Sequence, residues 1–429
     1  MAKESKHIPN IRFPQLQGGK KWNVECIGAL FCSFPTASYS RMQLKDKGTI
    51  GYIHYGDIHT KYNTFLDLTT SQLPHISEEQ RKQYIYLKDG DIILADASED
   101  YAGVGKCIEI LNTNGHRAIG GLHTILLREE KNYFTEKFKA YLFQSHYVKR
   151  QLEIKAVGTK IYSISFNSIR DIRIPYPPIS EQKKIADCLS SLDDYINATQ
   201  EKIEILQAHK KGLIQQLLPA LGKIMPQKRF PKFGKSKKWS PNSMEEMFEI
   251  RNGYTPSKSN PKFWENGTIP WFRMEDIREH GHILSDSIQH ITKEAVKGKG
   301  LFPANSIIVA TTATIGVHAL IIVDSLANQR FTFLTKHKSF DTQIDMKYFY
   351  YYMYLIDEWC KQHTNAGGFA SVDMNGFKRL SVSLPSIEEQ KEIAECFASI
   401  DDLIDSTKQK LVILQNHKRG LMQQLFPII

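Results

Sequence analysis

Apolar residues recur in steps of four and three between Ile179 and Leu218. Ile185, Leu189, Leu192, Ile196, Ile203, Leu206, Leu213 and Leu217 keep that rhythm, and Thr199 and Lys210 interrupt it. The spacing predicts one long helix with a heptad seam, and a seam needs a partner helix. The partner recurs at an offset of 208, from Ile387 to Phe426. There Ile393, Phe397, Ile400, Ile404, Leu411, Leu414, Leu421 and Leu425 fall on the same positions, and Thr407 and Lys418 repeat the breaks. From Ile185 to Leu217 such a helix would run about 48 Å. The polar pairs either fix register at some cost in stability or mark where a partner sits.

The repeat extends beyond the helices. Arg12-Phe13-Pro14 with Trp22 returns as Arg229-Phe230-Pro231 with Trp239, at an offset of 217. Tyr52 with Asp57-Ile58 matches Trp271 with Asp276-Ile277 at 219, and Gly90–Ala95 matches Asn305–Ala310 at 215. The stretch Lys139–Phe143 matches Lys347–Tyr351 at 208. Falling offsets at fixed anchors mean loops of different length on a common scaffold. Each globular part mixes short β-branched and aromatic runs with Gly, Pro and Asn turns. One aromatic helix follows in each, around Phe138–Val148 and Met346–Trp359. A last strand, at Ile172–Pro175 and Leu380–Leu384, then ends at a proline where the long helix begins.

The expected fold class is α+β: two similar mixed α/β domains separated by two long antiparallel coiled-coil helices, in a pseudo-two-fold internal repeat. The expected boundaries are 1–176, a helix at 177–219, a linker at 220–228, a second domain at 229–384 and a second helix at 385–427.

Composition adds little about fold. The apolar fraction of 41% is enough to build cores, and the net charge of +10 leans toward a polyanionic partner. The six cysteines make no CxxC pair and no zinc-finger spacing. They read as reduced thiols, which suits the cytoplasm. The start MAKESKHIPN lacks the apolar core of a signal peptide. The most apolar run, Ser306–Ala327, carries His318 and Asp324 and reads as two buried strands rather than a membrane span.

No catalytic constellation is evident. Gly103-Val104-Gly105-Lys106-Cys107 has the wrong spacing for a phosphate loop. Pro175-Tyr176-Pro177-Pro178 lacks the amide or acid of an amino-methyltransferase motif. Asp193-Asp194 and Asp401-Asp402 lie on the heptad helices, where a solvated or inter-helix polar role outweighs acid–base chemistry. Basic residues in turn-rich segments are the positive signal, because Lys, Arg, Ser, Thr and Tyr on loops can contact phosphates and base edges. The candidates are Ser38, Tyr39, Arg41, Lys45, Lys47 and Lys61, with Lys20 and Lys21 upstream. In the second part they are Thr255, Ser257, Lys258, Lys262, Arg273, Arg278 and Lys297. A bipartite DNA site one turn apart, about 34–36 Å, matches two readers on such a spacer.

Further residues carry a family resemblance. Pro177-Pro178-Ile179-Ser180-Glu181-Gln182-Lys183-Lys184-Ile185 and its copy Pro385-Ser386-Ile387-Glu388-Glu389-Gln390-Lys391-Glu392-Ile393 resemble the element that opens the spacer helices of type I restriction-modification specificity subunits. Gly253-Tyr254-Thr255-Pro256-Ser257, Ile269-Pro270-Trp271 and Asn328-Gln329-Arg330 resemble that family's recognition domain. The first copy departs from it, with Phe34-Pro35-Thr36 in place of Gly253-Tyr254-Thr255. The resemblance implies two target recognition domains, each reading one half of an asymmetric double-stranded DNA site, and a subunit with no catalysis of its own. It implies two methyltransferase subunits and restriction subunits as partners, no membrane, and no cofactor on this chain, with S-adenosylmethionine, ATP and Mg on the partners. Three alternatives stay open: a specificity subunit of a methyltransferase-only or type IIB-like system, a fused enzyme, and a coiled-coil adaptor with no DNA role.

Overall fold

The computed structural model describes residues 9–16, 21–80, 84–235, 238–365 and 370–427; Lys20 lies outside them. Packing divides the chain into two compact units, Met1–Gln200 with Gln409–Ile429, and Glu201–Lys408. Each unit holds one globular module and one end of each long helix. The compact units divide inside the two long helices.

The first module is built on a five-stranded sheet, in the order Phe31–Phe34, Thr124–Glu129, Ile92–Ala95, Cys107–Leu111, Phe65–Asp67. Ile92–Ala95 is buried on both faces, and its alternation decides which core each residue joins. Ile92 and Leu94 pack with Phe138, Tyr141 and Leu142 of the aromatic helix. Ile93 and Ala95 pack with Ile53, Ile58 and Leu66 on the other face. A three-stranded sheet of His75–Ile76, Ile50–Ile53 and Ala118–Gly120 lies beside it.

The second module repeats this order with Phe248–Asn252, Phe331–Lys336, Ser306–Ala310, His318–Ile321 and Ile283–Leu284. Its three-stranded sheet is His290–Ile291, Ile269–Phe272 and Leu326–Ala327. Ile307 and Val309 face Tyr348, Phe349 and Tyr352, while Ile308 and Ala310 face Phe302 and Phe333. Each such fully buried large apolar side chain stabilises by roughly 1.5–3 kcal/mol. The run Ser306–Ala327 therefore supplies sheet strands. Among the described residues no helix is long and apolar enough to cross a membrane.

The aromatic helix differs between the modules. It is continuous in the second, Met346–Gln362, but splits in the first into Phe138–Gln144 and His146–Lys155. Ser145 adopts an extended ψ of 146° there, and its hydroxyl caps the second piece at Val148 N. The offset of 208 read from sequence is also corrected. The Tyr141 hydroxyl donates to Asp193 and the Tyr351 hydroxyl to Asp401, which sets these helices at 210. The offset of 208 aligns Lys139 with Lys347 but sets Tyr141 against Phe349, whereas the hydrogen bonds pair Tyr141 with Tyr351.

The long helices run Ile179–Leu217 and Ile387–Leu425, 39 residues each. At about 1.5 Å per residue each spans roughly 58 Å. In the first unit the start of the first helix packs with the end of the second, so that Ile185, Leu189 and Leu425 share one core with Trp22. In the second unit the roles exchange, and Leu217, Ile393 and Phe397 share a core with Trp239. The two helices are therefore antiparallel.

None of the sixteen apolar seam positions is exposed. Ile185, Leu189, Ile203, Leu217, Ile393, Phe397, Ile404 and Leu425 are buried; Leu192, Ile196, Leu206, Leu213, Ile400, Leu411, Leu414 and Leu421 are half-buried. At its ends the seam is sewn into the modules. Near Leu213 the buried stripe moves to Ile214, at 6% exposure, as expected when a 3.6-residue helix drifts from a 3.5 repeat.

The element that opens each helix is a clamp. The Gln182 amide oxygen accepts from Thr135 N at 3.0 Å, and its nitrogen donates to the carbonyls of Tyr133 and Pro177 at 2.9 Å. Gln390 makes the same three bonds, accepting from Asp345 N and donating to the carbonyls of Gln343 and Pro385. The neighbouring glutamates are buried against the repeated arginines: Arg12 Nε donates to Glu181 and Arg229 Nε to Glu389, both at 2.8 Å. Just before those arginines, Ile11 N donates to Gln424 O and Lys228 N to Gln216 O. Each module's entry strap is thus tied to a helix end.

Candidate nucleic-acid interface

In the first module the loop after Phe34 turns through a short 3₁₀ segment, Arg41–Gln43. It forms one wall of an open cleft of about 1030 Å³. Arg41, Lys45, Lys47 and Lys61 all line it. Asp57, fully buried on the short helix Tyr55–Thr60, draws two of them to one edge: Arg41 lies 3.2 Å and Lys61 3.1 Å from its Oδ1. The other two expected residues stand apart from the cleft. Ser38 is exposed, and Tyr39 is half-buried with its hydroxyl donating to Gln80 O at 2.5 Å. Arg117, His116 and His75 also line the cleft and were not among the sequence candidates. They arrive from strands and turns far along the chain, where no local pattern marks them.

The second module has a tighter cleft, about 220 Å³. It brings together Thr255, Lys258 and Arg273 of the expected set, and adds Asn328, Gln329 and Arg330. The Thr255 hydroxyl donates to Gln329 Oε1 at 2.6 Å, which leaves the amide nitrogen of Gln329 to donate elsewhere. Arg273 lies over the Trp271 ring at 5.9 Å. Asp276, the counterpart of Asp57, is satisfied by backbone, accepting from Arg273 N and Ile288 N at 2.6 Å. The remaining expected residues are not in this cleft. Ser257 is exposed and hydrogen-bonded to Ser259. Lys262 lies within the 3₁₀ turn Pro261–Phe263, and Lys297 lies over the Phe263 ring at 5.7 Å. Arg278 is exposed on the last turn of the helix Met274–His280.

Beside the first cleft lies a cluster of imidazoles. Burial lowers the pKa of His54, with Arg41 adding to the shift, so this ring is held neutral; its Nδ1 accepts from Gly56 N at 3.1 Å. His123 Nδ1 lies 3.1 Å from Asp96 Oδ1. Burial raises the Asp96 carboxyl and His123 opposes that rise. Among the described residues no group of three His, Cys, Asp or Glu side chains is arranged to hold a metal ion. Of the paired carboxylates on the helices, Asp193 and Asp401 each take a tyrosine hydroxyl and a lysine, while Asp194 and Asp402 are exposed.

A family described as the type I restriction modification DNA specificity domain matches residues 19–207 and again 236–416. The chain belongs to this family. Among similar proteins, the type I restriction enzyme EcoprrI specificity subunit of Escherichia coli is 48% identical over 167 residues, 39% of this chain and 41% of that protein. The MjaVIII specificity subunit of Methanocaldococcus jannaschii is 26% identical over 320 residues, 70% of this chain and 72% of its own length. The matched stretch thus spans less than half of the first relative. Two solved structures share the fold. The type I restriction-modification S subunit of M. genitalium has a TM-score of 0.53 at 14% identity, covering 98% of this chain and all of that one. A chain from work on assembly and conformational transition of the type I R-M system has a TM-score of 0.58 at 16% identity, covering 94% and 97%.

Proposed function

We propose that this chain is the DNA sequence-recognition subunit of a type I restriction-modification complex and has no catalytic chemistry of its own. Each module reads one half of a bipartite, asymmetric site in double-stranded DNA. The long helices set the gap between the halves and dock two methyltransferase subunits, which restriction subunits then join. S-adenosylmethionine, ATP and Mg belong on those partners, and the complex works in the cytoplasm.

One observation carries the reading: a single scaffold presents two unlike basic clefts. Strand order and clamps are the same in both modules, yet Arg41, Lys45, Lys47 and Lys61 line one cleft and Lys258, Arg273 and Arg330 the other. Two readers with different linings suit two different half-sites.

The test is to exchange residues 229–384 for the second module of a relative and map methylation genome-wide in a host carrying the partner subunits. One half-site should change, with the other half and the gap preserved. A change in both halves, or in neither, would overturn the reading. Binding by the assembled complex should also weaken with salt, by about 0.9 in log–log slope for each phosphate neutralised.

A further inference from the structure

The two basic clefts do not occupy the same place on the shared scaffold. Backbone hydrogen bonds fix the correspondence. In the second module Asn328 N donates to Phe272 O at 3.0 Å, and Thr311 N donates to Arg330 O at 3.1 Å. In the first module Gly121 N donates to Ile53 O at 2.9 Å, and Asp96 N donates to His123 O at 3.1 Å. His123 therefore stands where Arg330 stands. The parallel strand pairs agree, with Tyr52 beside Ile119 and Trp271 beside Leu326. They place His54 and Tyr55 at the positions of Arg273 and Met274, which line the second cleft with Arg330.

What fills this place in the first module is aromatic. The Tyr55 ring has the rings of His54, His123 and His59 at 4.7, 5.2 and 6.0 Å between centroids. His59 Nε2 is engaged by Ala97 O at 3.0 Å, and His54 is buried. His123 is the open member, its side chain 51% exposed. In the tautomer that donates Nδ1–H to Asp96 Oδ1, 3.1 Å away, His123 Nε2 is left as an acceptor, and among the described residues no hydrogen bond engages it.

We propose that Tyr55 and His123 form a base-reading site of the first module, and that His123 accepts from the exocyclic amino group of an adenine or cytosine. Arg330, in the same place in the second module, can only donate and suits guanine O6 and N7. This rests on the DNA-reading function proposed above.

The test uses the whole chain assembled with its methyltransferase partners, read out by genome-wide methylation mapping. His123→Ala should relax one base position in one half-site, losing roughly 5- to 150-fold in discrimination, with the other half unchanged. His123 sits at φ 55°, a region that asparagine tolerates. His123→Asn should therefore melt with the parent chain and still alter that position, which separates reading from folding. His123→Arg should shift the preference there toward guanine. An unchanged motif with all three variants overturns this assignment, and it leaves the functional reading intact as long as the parent complex methylates a defined bipartite motif. A parent complex with no defined motif overturns both.

Discussion

Lys210 Nζ lies 2.7 Å from Asp401 Oδ1, and the same device recurs where Lys418 Nζ lies 2.5 Å from Asp193 Oδ1. Each carboxylate also accepts a hydroxyl from the aromatic helix of its own unit, Tyr351 at 2.9 Å and Tyr141 at 2.7 Å. Each lysine further lies over the ring of that tyrosine, at 5.1 and 5.4 Å. The polar breaks in the seam thus tie both helices to a module. Lys210 is 12% and Asp401 31% exposed, so removing one partner leaves a poorly solvated charge. Lys210→Met or Asp401→Asn alone should cost about 1–3 kcal/mol in denaturant unfolding. The double variant should recover part of the loss, giving a coupling energy above about 0.5 kcal/mol.

The other breaks, Thr199 and Thr407, need no partner. Their hydroxyls donate to the carbonyls of Tyr195 and Leu403 one turn back, at 2.7 and 2.6 Å. The helices themselves were legible because a heptad is a local pattern. The repeated Arg-Phe-Pro and Pro-x-x-x-Glu-Gln elements were legible as repeats only. That Glu181 receives Arg12, and that Gln182 holds three backbone groups, are pairings between distant stretches that no local pattern encodes. The same holds for the interface. Arg41, Lys45 and Lys47 share one turn-rich loop and could be named together. Arg117 joins them because its neighbour Ala118 pairs with Gly51 across a parallel ladder. His123 was hidden because it stands alone just before the strand Thr124–Glu129, outside the basic turn-rich loops.

Glu109 should make the first module sensitive to pH. Burial pushes its carboxyl up to about 7, outweighing Lys139 at 3.7 Å and the donors Ala140 N and Lys137 N. Its folded pKa lies above the unfolded value, so between about pH 4.5 and 7 the folded state holds the extra proton. Stability from this group is full below that window and falls as pH rises through it, by on the order of 3 kcal/mol. Glu109→Gln removes the titration. The stability of this variant relative to the parent should shift in its favour from pH 5 to pH 8 in urea unfolding. An offset that does not change with pH would mean the carboxyl is ionised throughout.

The helices should act as a ruler. Seven residues inserted in phase between Thr199 and Leu206 keep the seam register and add about 10 Å of rise. Applied to one helix this leaves its antiparallel partner short, so the matching insertion between Thr407 and Leu414 is made as well. The methylated motif should then keep both half-sites and gain about three base pairs of gap, at roughly 3.4 Å each. A motif with the original gap would show that the spacing is set elsewhere.

The outer faces of the helices should meet the catalytic partners. Ile205 is 60% and its repeat equivalent Ile413 66% exposed, whereas the seam residues beside them are buried or half-buried. Large apolar side chains left open on a polar helix face are interaction candidates. Ile205→Glu and Ile413→Glu, made separately, remove no buried contact, so the melting temperature of the chain should stay within about 2 °C of the parent. Each should weaken assembly with methyltransferase subunits by roughly tenfold or more on titration, since a charge placed in an apolar interface costs above about 1.4 kcal/mol. Wild-type assembly by both variants would place the docking surface on another face of the helices.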